Sequence, residues 1–204
     1  AYLKFLEGQQ QFLRNNREGD AAAKKIAREV ISLEPNYPSG YYLLAQTHFR
    51  DVLMGASKSP KKSIGLAIEN AQKAISLDGS LAEAHALLAL ILIYSDKIEL
   101  AIKLLKRALR LNPIPQPYYY FFLAIAYQNN RQHEKAIEVA KNALRGNPDL
   151  LIPYLTLAAS YSSLDRTEDA LKAVEEILRI HPRFTLERHS NTVPFKNQEN
   201  LDKY

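Results

Sequence analysis

Histidine is the first residue type to test for chemistry, because imidazole serves both metal binding and proton transfer. The chain has five histidines, and no two of them lie within one helical turn of each other: His48, His85, His133, His181 and His189. No HExxH motif is present, and zinc sites need convergent ligands of this kind. The sequence therefore predicts no metal site.

Adjacent carboxylates and serines are the next candidates for catalysis. The chain offers two acidic pairs and one serine cluster: Glu168-Asp169, Glu175-Glu176, and Ser160 with Ser162-Ser163. Adjacent residues on a helix do not face each other, so the acidic pairs are expected on a solvated surface. The serines have no base beside them in sequence. Cysteine and a glycine-rich phosphate loop are both absent. We predict no catalytic residue, no cofactor and no small-molecule substrate.

Four cations lie within eight residues of each other: Lys103, Lys106, Arg107 and Arg110. The net charge of the whole chain is +5, and no longer basic run occurs. A solvated helix face is the default interpretation of such a cluster. An RNA contact is the sharper alternative, but aromatic side chains do not interleave with these charges as base stacking requires. Nucleic-acid binding is therefore disfavoured.

Composition places the chain among folded proteins that do not insert into a membrane. Hydrophobic residues make up 47% and charged residues 24%, and only 7 glycines are present, which argues against an all-β fold. The longest apolar run, residues 86–94, is too short to span a bilayer. The N-terminus lacks the features of a signal peptide, and its Ala1 suggests a fragment of a longer protein. A cytoplasmic location is expected.

The strongest signal in the sequence is an internal repeat of 34 to 35 residues. Pro113, Pro148 and Pro182 are spaced 35 and 34 apart, and Gly79 stands 34 before Pro113. Alanine recurs twelve residues before each of these positions: Ala67, Ala101, Ala136 and Ala170. This pattern is typical of antiparallel helix pairs. A small residue lets two helices approach closely, and stacking the pairs buries a continuous core.

The repeat positions resemble the tetratricopeptide-repeat (TPR) family. The third repeat matches it at Ala84-His85, Leu88-Ala89, Leu92, Ala101, Leu105, Ala108 and Pro113, and the aromatic positions of the next two repeats hold Tyr120, Tyr127, Tyr154 and Tyr161. The resemblance implies an all-α fold: a right-handed TPR superhelix of about five helix pairs plus a C-terminal capping segment. His48 and His85 occupy positions where the repeat normally has a large ring, so we expect them in the core.

The repeat phase divides the chain into an array over residues 1–182 and a capping segment over residues 183–204. The predicted repeats are residues 1–35, 38–79, 82–113, 117–148 and 151–182. The second repeat carries an insertion of ten residues within 51–63, which we interpret as a lengthened first helix and a longer loop. The first repeat fits only if Gly8 holds the small position of its first helix, which puts Lys4 and Glu7 at normally apolar positions.

The TPR resemblance implies that the second, fifth, ninth and twelfth residues of each repeat point into a concave groove. Those positions are apolar and aromatic here, and they lack the Lys, Arg and Asn with which TPR co-chaperones hold acidic tails. The predicted partner-binding residues are Tyr42, Phe49, Leu90, Ile93, Tyr118, Phe121, Ile125 and Leu155. For the four aromatic residues, we favour an orientation into the groove over packing between helices. For Leu90, Ile125 and Leu155, packing between neighbouring first helices is an equal alternative.

A narrower resemblance covers most of the chain. Arg17-Glu18-Gly19, Leu33-Glu34-Pro35-Asn36-Tyr37 and the C-terminal Pro182-Arg183-Phe184 look like the TPR region of bacterial class III adenylate/guanylate cyclases. In such proteins a catalytic domain lies upstream of the repeats. None of the residues that bind metal or substrate in those cyclases can be placed on this chain.

These observations predict a non-catalytic interaction module of a bacterial signalling protein, attached to a cyclase domain. Its partner would be a protein or peptide, its own upstream domain or a sister subunit. Two alternatives remain open: a stand-alone scaffold for envelope or secretion assembly, and an RNA-binding helical repeat.

Overall fold

The computed structural model describes residues 1–186, and every regular element in this part of the chain is an α-helix. The helices are α1 (Tyr2–Leu13), α2 (Arg17–Leu33), α3 (Pro38–Leu53), α4 (Pro60–Leu77), α5 (Ala82–Ile93), α6 (Ile98–Leu111), α7 (Pro117–Asn129), α8 (His133–Gly146), α9 (Leu151–Ser162) and α10 (Thr167–Ile180). The predicted all-α class is confirmed.

The helices form two compact units, which we call the N-terminal unit (residues 1–91) and the C-terminal unit (from residue 92). In the N-terminal unit α1 packs on α2, α2 on α3 and α3 on α4, while α1 also touches α3. In the C-terminal unit α6 to α10 pack consecutively, and α7 also touches α9. Within each unit these consecutive helices thus pack on one another, and the first helices of successive pairs touch each other, as helical repeats require.

Alanines on the second helix of each pair allow this close packing. Those with at most 5% exposure are Ala23 and Ala27 of α2, Ala67, Ala71 and Ala74 of α4, Ala101 and Ala108 of α6, Ala136, Ala140 and Ala143 of α8, and Ala173 of α10. A methyl group leaves room for a neighbouring helix, so a larger side chain would have to displace that neighbour.

The first repeat departs from the pattern in the way that the sequence predicts. Gly8 is buried, and a Cβ atom there would lie 2.6 Å from Leu43 Cδ2 and 3.0 Å from Ile26 Cγ2. Lys4, at a normally apolar position, is half-exposed and forms an ion pair of 2.6 Å with Glu29 of α2. A glycine therefore permits the closest approach of α1 to its neighbours.

Left-handed backbone closes the turn inside each helix pair. The residues with positive φ are Asn15, Gly55, Asp96, Arg131 and Asp165. Asn, Asp and Gly adopt this conformation at low cost, whereas arginine does so against the steric preference of its Cβ. The turn geometry is therefore repeated even where the residue type does not favour it.

The insertion in the second repeat is distributed differently from the prediction. The first helix is longer, as expected, since α3 has 16 residues where α5 has 12. The second helix is longer as well, because α4 has 18 residues where α6 has 14. The extra length of α4 was not predicted, because Pro60 is a residue typical of loops. In the structure Pro60 occupies the first turn of α4, where the N–H that proline lacks would have no helical partner.

The predicted capping segment lies almost entirely outside the described residues, which include only its first four positions. The final described helix, α10, keeps three apolar side chains exposed: Leu171, Val174 and Leu178. No helix in residues 1–186 combines the length and apolar character needed to cross a membrane.

Candidate protein-binding face

Helix α7 carries apolar or aromatic side chains on every side. Its sequence, PYYYFFLAIAYQN, begins with Pro117 in the first turn and continues with five consecutive aromatic residues. A helix that is hydrophobic all round is normally buried on all sides. The exposure of its individual side chains therefore shows whether the helix still needs a partner.

One side of α7 is buried in the C-terminal unit. Tyr119 is fully buried, and Leu123, Ala124 and Tyr127 are at most 5% exposed. Ala124 belongs to a core cluster with Ile137 and Ala140 of α8 and with Leu157 and Tyr161 of α9. This side meets the apolar requirement of the helix without any partner.

The opposite side of α7 is only half-buried. Tyr118, Phe121 and Ile125 follow the i, i+3, i+7 spacing of one helix face, and all three are partly exposed. Leu155 on the neighbouring helix α9 is also partly exposed. We refer to these four residues as the α7–α9 face. A contiguous set of partly exposed apolar side chains is a candidate interaction surface.

Both aromatic rings of this face pack against the ring of Phe122. The Tyr118 ring lies 5.6 Å from the Phe122 ring, and Phe121 lies 4.7 Å from Phe122 in an edge-to-face arrangement. Phe122 was missed by the sequence analysis because it falls between the groove positions of the repeat. The signal that could have found it is the unbroken aromatic run itself.

The remaining predicted residues are placed differently. Tyr42 is half-buried, and its hydroxyl accepts a hydrogen bond of 2.9 Å from Gln46 Nε2. Leu90 is also half-buried, whereas Phe49 is 3% exposed and Ile93 is 8% exposed. Buried side chains cannot anchor a partner without rearrangement. We therefore leave Phe49 and Ile93 out of the contact set proposed below.

The structural tyrosines of the repeat carry cations above their rings. The ammonium groups of Lys106 and Lys135 lie 5.8 Å and 5.7 Å from the centre of the Tyr127 ring. Lys141 and Arg166 lie 5.8 Å and 4.6 Å from the centre of the Tyr161 ring. Such cation–π pairs each contribute modestly at exposed sites.

A charged cluster in the N-terminal unit was also missed by the sequence analysis. Arg50 Nη1 donates to Asp20 Oδ1 at 3.0 Å, and Lys24 pairs with Asp51. The side chain of Asp20 is only 10% exposed. Burial raises the pKa of Asp20, and the neighbouring Arg50 opposes that rise. Each of the two carboxylates thus has a cation as its partner, and the two ion pairs join α2 to α3.

Two of the histidines lie in the core of the described part of the chain. His48 and His85 are 7% and 3% exposed, in agreement with the expected core positions. Burial lowers the pKa of His48 to about 4, with a further decrease from Lys24. Within residues 1–186, no group of three or more His, Cys, Asp or Glu side chains is placed to hold a metal ion.

A family model for the ChAPs, described as Chs5p-Arf1p-binding proteins, matches residues 64–201, which is more than half of the chain. The chain belongs to the ChAPs family. The ChAPs match begins within α4 and includes the whole of α7 and α9, so the α7–α9 face lies inside it. No curated protein matches the chain at the sequence level.

Solved structures similar to this ChAPs chain confirm the TPR fold. PilF from Pseudomonas aeruginosa has a TM-score of 0.75 at 17% identity, over 98% of this chain and 85% of that protein. MamA from Desulfovibrio magneticus RS-1 has a TM-score of 0.68 at 18% identity, over 89% and 94%. A thermophilic TPR protein from Thermus thermophilus has a TM-score of 0.65 at 20% identity, over 94% and 96%.

Proposed function

We propose that the chain is a non-catalytic protein-interaction scaffold that binds a partner helix or extended peptide on the α7–α9 face. The single observation that carries this proposal is the exposure pattern of α7. The helix is apolar on every side, yet Tyr118, Phe121 and Ile125 remain partly exposed. A partner that covered them would bury aromatic surface, which dominates the binding energy of many protein interfaces.

The chemistry of the face defines the kind of partner. Lys, Arg, Asp and Glu are absent from its four residues, so it offers no complementary charge to an acidic or basic tail. The occupant should therefore present apolar side chains, at i, i+3, i+4 spacing for a helix or at alternate positions for an extended peptide. Binding to such a face should depend weakly on salt, unlike binding to RNA.

Several protein partners are consistent with this proposal. The family description names Chs5p and Arf1p as the proteins that ChAPs bind, which supports a role in protein binding for this chain. A sister subunit and an upstream domain of the same protein are further partners that the sequence predicts. The cyclase attachment and the cytoplasmic location remain predictions, and the sequence upstream in the full gene would test the first directly.

The experiment replaces Tyr118 and Phe121 together by alanine and measures binding to each named partner by calorimetry. Truncating hot-spot aromatics typically costs about 2 kcal/mol each, so we expect binding to weaken by at least a hundredfold. The matched control is Leu171→Ala on α10, which removes an exposed apolar side chain outside the face. Circular dichroism must show that all variants keep their helical content.

Two results would contradict the proposal. The first is unchanged affinity of the folded double variant for the partner that the wild-type chain binds. The second is an equal loss of affinity in the Leu171→Ala control, because that would place the contact elsewhere or make it nonspecific.

A further inference from the structure

The outer side of α1 carries apolar side chains that stay in solvent. Leu3 is 80% exposed and Leu6 is 38% exposed, and their i, i+3 spacing places them on one helix face. Leu3 is the third residue of its repeat. The third residues of the four later repeats are all buried: Gly40, Ala84, Tyr119 and Pro153. Leu3 is thus an exposed apolar residue at a position that the fold otherwise buries.

What buries this position in the second repeat is the second helix of the preceding pair. A Cβ atom at Gly40 of α3 would lie 3.1 Å from Ile31 Cγ1 of α2. Leu43, three residues further along α3, belongs to a core cluster with Ala27 of α2. The two leucines of α1 hold the same repeat positions as Gly40 and Leu43, so they are suited to packing against a second helix.

The outer side of α10 is the complementary case. Val174 is 39% exposed and Leu178 is 45% exposed, and their i, i+4 spacing places them on one face. Counted back from the proline that closes each repeat, they correspond to Ala27 and Ile31 of α2. The residue of α8 that corresponds to Val174 is Ala140, which is fully buried. The outer side of α10 is therefore suited to packing against a first helix.

The terminal repeats of a helical array normally have polar outer faces, which keep the array soluble. We infer that the outer side of α10 docks the outer side of α1 of a second copy of this chain, so that the repeat continues from one copy to the next. Leu3 of one copy then lies against Leu178 of the other, and Leu6 lies against Val174. The contact joins two different surfaces, so it is a heterologous interface.

A second copy is the occupant that the structure favours, because the chain itself carries both halves of the contact at matching repeat positions. The predicted capping segment, residues 183–204, is the competing occupant of the outer side of α10. For this reason one part of the test removes residues 187–204. The contact between copies is distinct from the α7–α9 face and concerns a different surface from the one that binds the partner proposed above.

The test makes use of the absence of cysteine from the chain. Two single-cysteine variants of the full chain, Leu3→Cys and Leu178→Cys, are mixed at equal concentration in a glutathione buffer. Disulfide-linked dimers are then identified and quantified by mass spectrometry. Both positions are exposed, so the helical fold should be retained, and circular dichroism checks this.

The control pairs Leu178→Cys with Leu33→Cys, because Leu33 is 65% exposed at the end of α2 and lies outside both surfaces. Docking brings the two thiols of the test pair to a high effective concentration. We therefore expect at least about ten times more mixed dimer from the test pair than from the control pair. Leu6→Cys with Val174→Cys is a second test pair that should give the same result.

An excess of mixed dimer in the full chain supports the inference. Three results overturn it: a yield equal to that of the control pair, a predominance of dimers of either variant with itself, or an excess that appears only after residues 187–204 are removed. The last result would assign the outer side of α10 to the capping segment.

Discussion

The guanidinium carbon of Arg50 on α3 lies 3.3 Å from the centre of the Phe12 ring on α1. The same guanidinium donates hydrogen bonds to the Phe12 carbonyl oxygen at 2.6 Å and to Asp20 Oδ1 at 3.0 Å. One side chain of α3 thus joins α1 and α2, because the ring, the carbonyl and the carboxylate all converge on it. Its planar, forked geometry is what lysine cannot reproduce.

We expect Arg50→Ala to destabilise the N-terminal unit by about 3 kcal/mol, because it leaves the buried Asp20 carboxylate without its partner. Arg50→Lys should recover only part of that loss, since the charge remains and the stacking is lost. Urea unfolding of both variants measures the effect. Equal stability of Arg50→Ala and the wild-type chain would show that the contact contributes nothing.

Buried His48 predicts a dependence of stability on pH. Its folded-state pKa of about 4 lies below the unfolded value of 6.5, mainly because burial disfavours the charged form, with Lys24 lowering it further and Asp51 opposing. The unfolded chain therefore binds a proton first as pH falls. The stabilisation is fully present above pH 6.5 and is lost as pH falls toward 4.

The magnitude should be about 1 to 2 kcal/mol at pH 5 relative to pH 7. Urea midpoints of the wild-type chain and of His48→Phe, measured over this range, check the prediction. His48→Phe should show a shallower decline because it removes the titrating group from both states. An identical pH profile in the two proteins would rule out His48 as the source.

Gly8 and Gly65 should respond oppositely to alanine. A Cβ at Gly8 would lie 2.6 Å from the Cδ2 atom of the fully buried Leu43, whereas a Cβ at Gly65 of α4 meets nothing within 4 Å. We expect Gly8→Ala to cost about 1 to 3 kcal/mol through overpacking. Gly65→Ala should stabilise by up to about 1 kcal/mol through helix propensity. Melting temperatures of the two variants measure both effects. Stabilisation by both substitutions would contradict the close packing of Gly8 against Leu43.

Ala136 of α8 tests the small-residue position of the repeat. Its side chain is fully buried, so Ala136→Leu should destabilise the C-terminal unit by about 1 to 3 kcal/mol. Ala21→Leu on the exposed side of α2 is the control and should change stability by no more than about 0.5 kcal/mol. A melting temperature of Ala136→Leu equal to that of the wild-type chain would mean that the position was assigned wrongly.

The sequence predicted the helical architecture well, because the packing of each helix pair depends on a few small residues at fixed spacing. Ala101 and Ala136 are fully buried as that spacing predicts, and Gly8 occupies the small position of the first helix. The length of α4 was not predicted, because Pro60 is equally suited to a loop and to a first helical turn.

The candidate site could be predicted from the sequence less well than the fold. The repeat pattern specifies which direction a residue points, but it does not specify how much of that residue its neighbours cover. The repeat pattern assigns Phe49 and Phe121 to the groove, at the twelfth and fifth residues of their repeats, yet Phe49 is 3% exposed while Phe121 is partly exposed. The ion pairs of Arg50 and Lys24 were missed because they join residues 30 and 27 positions apart in sequence, outside any local pattern.

Site-specific photo-crosslinking tests the central claim most directly. A benzophenone side chain is placed at Phe121, at Leu155 and, as a control, at Leu171, and each full-length protein is irradiated with the partner that it binds. We predict that the partner is crosslinked from Phe121 and Leu155 and not from Leu171. Crosslinking from Leu171 alone, while both positions of the α7–α9 face remain unmodified, would contradict the account.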